Sequence, residues 1–123
     1  MVSNNDTDIN DIHNFSIHAK NREVFLHSYI EGEEEGGVDY RSAVIFEKNI
    51  RYLNILSDDP ILVHMHLPGG EWQDCLGIYD TIKTSKSKII ILAYAKVESS
   101  SSVVLQAAPL RVCLLYTSDA ADE

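Results

Sequence analysis

The fold of this chain is decided by residues 61–108, ILVHMHLPGGEWQDCLGIYDTIKTSKSKIIILAYAKVESSSSVVLQAA. Residues 61–67 are a short and largely apolar run that ends in Pro68-Gly69-Gly70. Proline and glycine together stop a strand and allow the backbone to turn tightly, so this part predicts a strand followed by a turn.

A helix is predicted directly after the glycine turn. Glu71 and Asp74 fall in its first turn, where the helix dipole favours negative charge. Apolar residues then recur at steps of three and four, which places them on one face that we expect to be buried. These residues are Trp72, Cys75, Leu76, Tyr79 and Ile82.

A second strand and a serine cluster complete this unit. Residues 89–93 are an unbroken apolar run, as expected of a parallel strand that is covered on both faces. A right-handed crossover brings the carboxyl ends of both strands to one edge of the sheet. We therefore expect the glycine turn to meet the serine cluster, residues 99–102, at that edge.

The rest of the chain extends the same pattern. Residues 24–30 predict a first strand, and Asp39 is a good N-cap for a helix that runs to about Leu56. Residues 1–21 are polar and acidic, and we expect a flexible arm there. The predicted fold class is α/β, a layered domain built from repeated β-α units.

The bulk composition narrows the range of partners. The chain has 123 residues and a formal net charge of -9, which disfavours nucleic acid and anionic membranes as partners. No apolar stretch approaches the roughly 20 residues needed to span a bilayer, and residues 1–21 do not resemble a signal peptide, so we expect a cytoplasmic protein. Cys75 and Cys113 show no metal-ligand spacing, and no cofactor is expected. His64 and His66 lie two apart on a strand and would share a face, but no third metal ligand is apparent.

Four local matches resemble the proteolytic subunit of Clp proteases, within the ClpP/crotonase-like group of folds. The resemblance extends over residues 22–112 and implies that the domain has this layered fold. The matches are Val24-Phe25-Leu26, His66-Leu67-Pro68-Gly69-Gly70, Gly77-Ile78-Tyr79-Asp80-Thr81-Ile82, and Ser99 followed by Val103-Val104-Leu105-Gln106-Ala107-Ala108.

The resemblance also implies an active site. It aligns the family's nucleophilic serine with Ser99, and a shift by one residue would select Ser100. The family's oxyanion hole would map to the backbone N–H groups of Gly70 and Ser100, and such donors are worth about 3 kcal/mol each. An extended peptide would lie along Leu67, Pro68 and Gly69 and form main-chain hydrogen bonds there.

The sequence departs from the family pattern in two ways. Glu98 precedes Ser99, and a carboxylate beside the nucleophile disfavours an alkoxide-like transition state. All five histidines precede Ser99, whereas the family places the histidine and the aspartate of its triad after the serine. Because serine is a weak nucleophile without a base in reach, we expect the chain as written to be inactive.

Three functional hypotheses remain open. The first is a serine endopeptidase subunit that cleaves peptides or unfolded proteins and, as the resemblance implies, forms a homo-oligomeric ring with a Clp-type ATPase unfoldase. The second is an assembly paralogue that keeps the fold without catalysis, and the third is a crotonase-type acyl-CoA enzyme.

The final residues, 113–123, read CLLYTSDAADE and resemble the in-frame translation of a sequencing-library adapter. This interpretation divides the chain into an arm (1–21), a partial ClpP-like domain (22–112) and a foreign tail (113–123). It predicts that the parent protein continues past Val112 and supplies the missing base and acid.

Overall fold

The computed structural model describes residues 4–28, 37–67, 69–97 and 100–114. These residues form four α-helices, five strands and one short 3-10 helix, Ala19–Asn21. In chain order the other elements are α1 (Asn4–Phe15), β1 (Ile17–His18), β2 (Glu23–His27), α2 (Tyr40–Leu56), β3 (Ile61–Leu67), α3 (Trp72–Thr84), β4 (Ile89–Val97), α4 (Ser100–Ala107) and β5 (Leu110–Leu114). None of these helices is both long and apolar enough to cross a bilayer.

The strands form one sheet in the order β1-β2-β3-β4-β5. β1 is antiparallel to β2, and all other neighbours are parallel. Helices α2, α3 and α4 connect the parallel strands in turn, so right-handed crossovers place all three on one face of the sheet. The predicted α/β layered fold is confirmed.

The core lies between the sheet and these three helices. Alternate residues of β3 are fully buried because they point towards the helices, while the residues between them are partly exposed on the other face. On β4, Ile90 and Leu92 are only half-buried. The expectation that this strand is covered on both faces was therefore wrong for the described residues, which place α2, α3 and α4 on one face only.

The predicted start of α2 is confirmed. Asp39 Oδ1 accepts a hydrogen bond from the Ser42 backbone N–H at 2.8 Å, and Ser42 Oγ accepts from the Asp39 N–H at 3.0 Å. This reciprocal capping box satisfies two donors that the first turn of a helix otherwise leaves without partners. It also fixes α2 relative to Val38, the residue before the cap.

The flexible arm predicted for residues 1–21 was wrong from residue 4 onward. α1 is followed by Ser16 in a left-handed conformation with φ 57°. This turn lets Ile17 pair with Val24, and the Ser16 carbonyl accepts a hydrogen bond from Phe25 N–H at 2.9 Å. The order of this segment comes with its pairing to β2, a contact between residues five to seven positions apart that the polar composition does not reveal.

The buried face of α3 is rotated from the predicted one. Cys75 and Ile82 are buried as expected, but Trp72 is 52% exposed and Leu76 is 36% exposed. Ile78, which the predicted stripe omitted, is fully buried. The difference arises because α3 contacts α2 on one side and α4 on the other, so its inner face is set by both neighbours.

The end of the domain differs from the predicted boundary at Val112. β5 continues through Cys113 to Leu114 and pairs in parallel with β4. Residues 115–123 lie outside the described residues, and strand pairing does not test the origin of the tail, so the adapter interpretation stays a prediction for all of residues 113–123.

Candidate active site

The carboxyl ends of β3 and β4 bring two predicted site segments to one edge of the sheet. Leu67 pairs with Val97 at the end of the two strands. Gly70 follows Leu67 by three residues, and Ser100 follows Val97 by three residues and begins α4. The glycine turn and the start of α4 therefore lie at the same edge, as the topology predicted.

The pairing of β3 with β4 is irregular just before this edge. Met65 pairs with Ala93, whereas Leu67 pairs with Val97, so a step of two residues on β3 faces a step of four on β4. Such bulges bend a strand and redirect the chain, and they are frequent beside functional sites. This bulge sets where β4 leaves the sheet and enters α4.

The glycine turn is packed against the backbone of Val38. Val38 N–H donates to Gly69 O at 2.6 Å, and Glu71 N–H donates to Val38 O at 3.0 Å. Gly70 has φ 142°, and a Cβ atom built there would lie 2.1 Å from Val38 N. Close packing against Val38 thus requires glycine at position 70, independently of any catalytic role.

Two of the three predicted substrate-contacting residues, Leu67 and Gly69, are buried in the folded domain. The Leu67 side chain is fully buried, so only its backbone could meet a peptide. Gly69 is also buried, and its carbonyl accepts the hydrogen bond from Val38. Pro68 and the predicted nucleophile Ser99 lie outside the described residues. Their predicted roles, and those of Gly70 and Ser100 as oxyanion donors, remain predictions.

The start of α4 has the chemistry that an oxyanion site requires. Ser100 is the first residue of this eight-residue helix. The first N–H groups of an α-helix have no acceptor within the helix, and they carry the positive end of the helix dipole. An anion that develops beside the first turn of α4 would be stabilised by these groups.

Three carboxylates surround the glycine turn. Asp39 caps α2, Glu71 follows Gly70, and Asp74 lies in the first turn of α3. The pKa of Asp74 is raised above its ordinary value of 3.8, first by burial and then by the negative charges of Glu71 and Asp39. The three carboxylates therefore interact electrostatically at this turn.

A polar network that the sequence analysis missed lies on the face of the sheet opposite α2, α3 and α4. His64 Nδ1 is 2.8 Å from the Tyr94 hydroxyl, and its Nε2 is 3.1 Å from Glu23 Oε1. The Phe25 ring stacks on the His64 ring with centroids 4.8 Å apart. Because both ring nitrogens have protein partners, His64 is held in place by this network.

The network continues towards the N-terminus through Glu23. Its second carboxylate oxygen lies 3.8 Å from His18 Nδ1, and His18 Nε2 lies 3.3 Å from Asp8 Oδ2. In the described part of the chain, no group of three or more His, Cys, Asp or Glu side chains is arranged to hold a metal ion. The polar positions alternate along β2, β3 and β4, but only the strand register shows that they meet.

A cleft of about 290 Å³ opens beside this network. His27 and His66 line it, together with the rings of Phe25, His64 and Tyr94. His27 pairs with His66 in the register of β2 with β3, so the two residues lie side by side and both line the cleft. The predicted pairing of His64 and His66 on one strand face is therefore confirmed, although neither contributes to the glycine turn.

Comparison with known proteins identifies similar sequences. Residues 8–116 match the profile of the family described as Clp protease. The proteolytic subunit 2 of the ATP-dependent Clp protease of Pseudomonas aeruginosa is 32% identical over 73 residues, which cover 59% of this chain and 36% of that protein.

Solved structures of the same group have a similar fold. ClpP1 from Listeria monocytogenes has a TM-score of 0.65 at 23% identity, covering 73% of this chain and 48% of that chain. The ClpP protease catalytic domain from Plasmodium falciparum has a TM-score of 0.65 at 20% identity, covering 88% of this chain and 51% of that chain. The chain thus spans about a third of the length of the curated relative and about half of each solved structure.

Proposed function

Because this chain belongs to the Clp protease family, we propose that it is part of the proteolytic subunit of a serine endopeptidase. Family membership is the observation that carries the proposal. The meeting of the glycine turn with the start of α4 supports it, since acyl transfer needs a nucleophile beside preorganised N–H donors.

In the proposed reaction, Ser99 Oγ attacks the carbonyl carbon of a peptide bond. The hydroxyl proton passes to a general base, and the oxyanion accepts hydrogen bonds from the backbone N–H groups of Gly70 and Ser100. The C–N bond then breaks, the base returns the proton to the leaving amine, and water hydrolyses the acyl-enzyme. No histidine follows Ser99 in this sequence, so we propose that the parent protein supplies the base beyond Val112.

The proposed substrates are peptides or unfolded proteins, and the proposed assembly is a homo-oligomeric ring that works with a Clp-type ATPase in the cytoplasm. A groove of about 530 Å³ on the outer side of α2 supports subunit assembly. Its lining includes Tyr40, Tyr52 and Ile55, which are 74%, 50% and 82% exposed. Large exposed apolar side chains in one groove are typical of a contact surface.

Covalent labelling of the protein expressed from the parental gene tests the peptidase proposal. A fluorophosphonate probe should label the parent protein and a Ser100→Ala variant, and it should fail to label Ser99→Ala. Because the two variants differ only in which adjacent hydroxyl is removed, they separate Ser99 from Ser100 as the nucleophile. Sequencing of the parental DNA across the codons for residues 110–123 defines the protein to express.

The assembly paralogue is the second candidate, and Glu98 is the observation that favours it. A carboxylate next to the serine raises the free energy of an alkoxide or an oxyanion. If the parent protein is folded and oligomeric but neither Ser99 nor Ser100 reacts, the peptidase proposal fails in favour of this alternative. Turnover of an acyl-CoA by the Ser99→Ala variant would instead support the crotonase-type hypothesis.

A further inference from the structure

A groove of about 600 Å³ lies at the end of the molecule opposite the glycine turn. It is formed where α3 and α4 end and where β4 and β5 begin. Four exposed cationic side chains line it, and we call it the basic groove. These side chains are Lys83, Lys86, Lys88 and Arg111.

The basic groove is an exception in an acidic protein. The chain has 19 Asp and Glu residues against 10 Lys and Arg residues, and four of those ten cations line this one groove. No carboxylate is among its lining residues, and the ion pairs of the described residues all join a histidine to Asp8 or Glu23. Among the described residues, none of the four cations forms an ion pair with a carboxylate within 4.0 Å.

The spacing of these cations explains why the sequence analysis found no basic run. Threonine and serine separate Lys83, Lys86 and Lys88, which span the end of α3 and the loop before β4, and Arg111 comes from β5. The parallel pairing of β4 with β5 brings them together, because Ile91 pairs with Arg111. The topology thus adds Arg111 to three lysines that are already close in sequence.

The electrostatics of the basic groove disfavour a compact anion seated on its floor. α3 ends at Thr84 and α4 ends at Ala107, so the floor receives the carboxyl ends of two helices. Those ends carry partial negative charge, whereas a phosphate group is favoured at helix amino ends. The exposed lysine side chains instead present mobile ammonium groups that can meet carboxylates spaced along a segment.

We infer that the basic groove is a docking site for an acidic segment of another protein. Charge complementarity provides the attraction, and the acidic remainder of the chain repels the same segment, so docking is confined to this face. The inference does not depend on the proposed peptidase activity, since the groove contains none of the residues of the glycine turn or of the serine cluster.

Binding of a fluorescent Glu-rich peptide to the protein, followed by anisotropy, tests the inference. The same peptide with glutamine in place of glutamate is the ligand control. The variant Lys86→Gln with Lys88→Gln removes two groove cations, and Lys20→Gln with Lys48→Gln removes two exposed cations elsewhere. Both variants have the same net charge, so they separate the groove from the overall field of the protein.

We expect the Glu-rich peptide to bind more tightly than the Gln peptide and to dissociate as salt is raised. The groove variant should weaken binding about tenfold, and the control variant should change it less than about twofold. Equal losses in both variants, or equal binding of the two peptides, would overturn the inference. If inorganic pyrophosphate displaced the labelled peptide at a lower concentration than the unlabelled Glu-rich peptide does, the groove would be assigned to a compact anion. Dissociation of a homo-oligomer by the groove substitutions, without peptide binding, would assign it to a second copy.

Discussion

The Arg22 side chain joins three segments of the chain. Its guanidinium donates to the carbonyl oxygens of Leu53, Ser57 and Asp59 at 3.1, 3.1 and 2.7 Å. It also donates to Ser87 Oγ at 2.9 Å. These acceptors belong to the end of α2, the loop that follows it and the loop between α3 and β4, so one side chain holds three segments together.

Replacing Arg22 with alanine should lower the free energy of unfolding by about 2–3 kcal/mol, because several carbonyl groups lose a charged donor. Arg22 has φ 56°, and alanine keeps the same backbone strain, so the change isolates the side chain. Arg22→Lys should restore only part of the loss, since an ammonium group lacks the planar fork. Chemical denaturation measures all three proteins.

Arg51 provides the matched control for this prediction. Its guanidinium is exposed, and within the described residues its hydrogen bonds go to Thr84, from Nη1 to the carbonyl at 3.4 Å and from Nη2 to Oγ1 at 2.6 Å. Arg51→Ala should change stability by no more than about 0.5 kcal/mol. If Arg22→Ala lost as little stability as Arg51→Ala, the acceptors around Arg22 would be satisfied by water when its side chain is absent.

Asp74 gives the stability of the protein a pH dependence of known sign. Its raised pKa means that the folded state binds the proton more tightly than the unfolded state. This contribution to stability is complete below the ordinary value of 3.8 and is lost as the pH rises through the higher pKa of the folded state. The asparagine side chain of Asp74→Asn is uncharged at every pH. The free energy of unfolding of this variant, relative to that of the unsubstituted protein, should therefore be greater at about pH 7 than at about pH 3.5.

Urea denaturation of Asp74→Asn and the parent at both pH values checks this prediction. Adding Glu71→Gln to both proteins should reduce the pH dependence, because the charge of Glu71 is the second cause of the raised pKa. A stability difference that does not change with pH would show that Asp74 is as well solvated in the folded state as in the unfolded state.

At the scale of the element, the sequence predicted best where local patterns and packing agree. α2 begins after Asp39 as predicted, since a capping box is a local signal that needs no knowledge of the fold. β5 was missed because it is ordered by pairing with β4, about 20 residues away, and α1 was missed because its polar composition hides a helix that contacts β1. The predicted face of α3 was rotated because two neighbouring helices, rather than the periodicity alone, select what is buried.

Two glycines of neighbouring elements should respond oppositely to the same added methyl group. Gly70→Ala forces Cβ to within 2.1 Å of Val38 N and keeps a φ of +142°, so it should cost about 3 kcal/mol or more. Gly77 lies inside α3, and a Cβ atom there would meet nothing within 4 Å. Gly77→Ala should raise stability by about 1 kcal/mol because alanine loses less backbone entropy in a helix.

Thermal denaturation of the two glycine variants gives the sign of each change. The pair controls for the chemistry of the substitution, since both replace a hydrogen with a methyl group. If Gly70→Ala were as stable as the parent, Val38 could not pack against the glycine turn as described. A destabilised Gly77→Ala would imply an unseen contact on the exposed side of α3.

At the scale of the whole molecule, topology predicted where the site lies but not what surrounds it. Parallel strands with right-handed crossovers sufficed to bring the glycine turn and the start of α4 to one edge. Asp39 joins Glu71 and Asp74, and Arg111 joins the three groove lysines, only after the chain has folded, because Asp39 and Arg111 come from other elements. The network at His64 likewise depends on strand register, which single-strand periodicity does not determine.

The same sheet has an apolar edge that predicts self-association. β5 pairs with β4, and no further strand among the described residues pairs with its other side. Leu110 and Val112 on β5 are 46% and 44% exposed. An edge strand with free backbone groups and exposed apolar side chains can pair with another chain. We therefore expect the 123-residue protein to self-associate.

Val112→Lys should reduce this association, because a lysine on an edge strand opposes pairing through its charge and the hydration of its ammonium group. Size-exclusion chromatography over a range of protein concentrations measures the effect. Ile55→Lys, at an 82% exposed position on α2, introduces the same charge on the other exposed apolar surface. If Ile55→Lys alone abolished association, the helix face rather than the sheet edge would hold the copies together. If the unsubstituted 123-residue protein were a monomer that unfolds cooperatively, neither the sheet edge nor the helix face would mediate self-association.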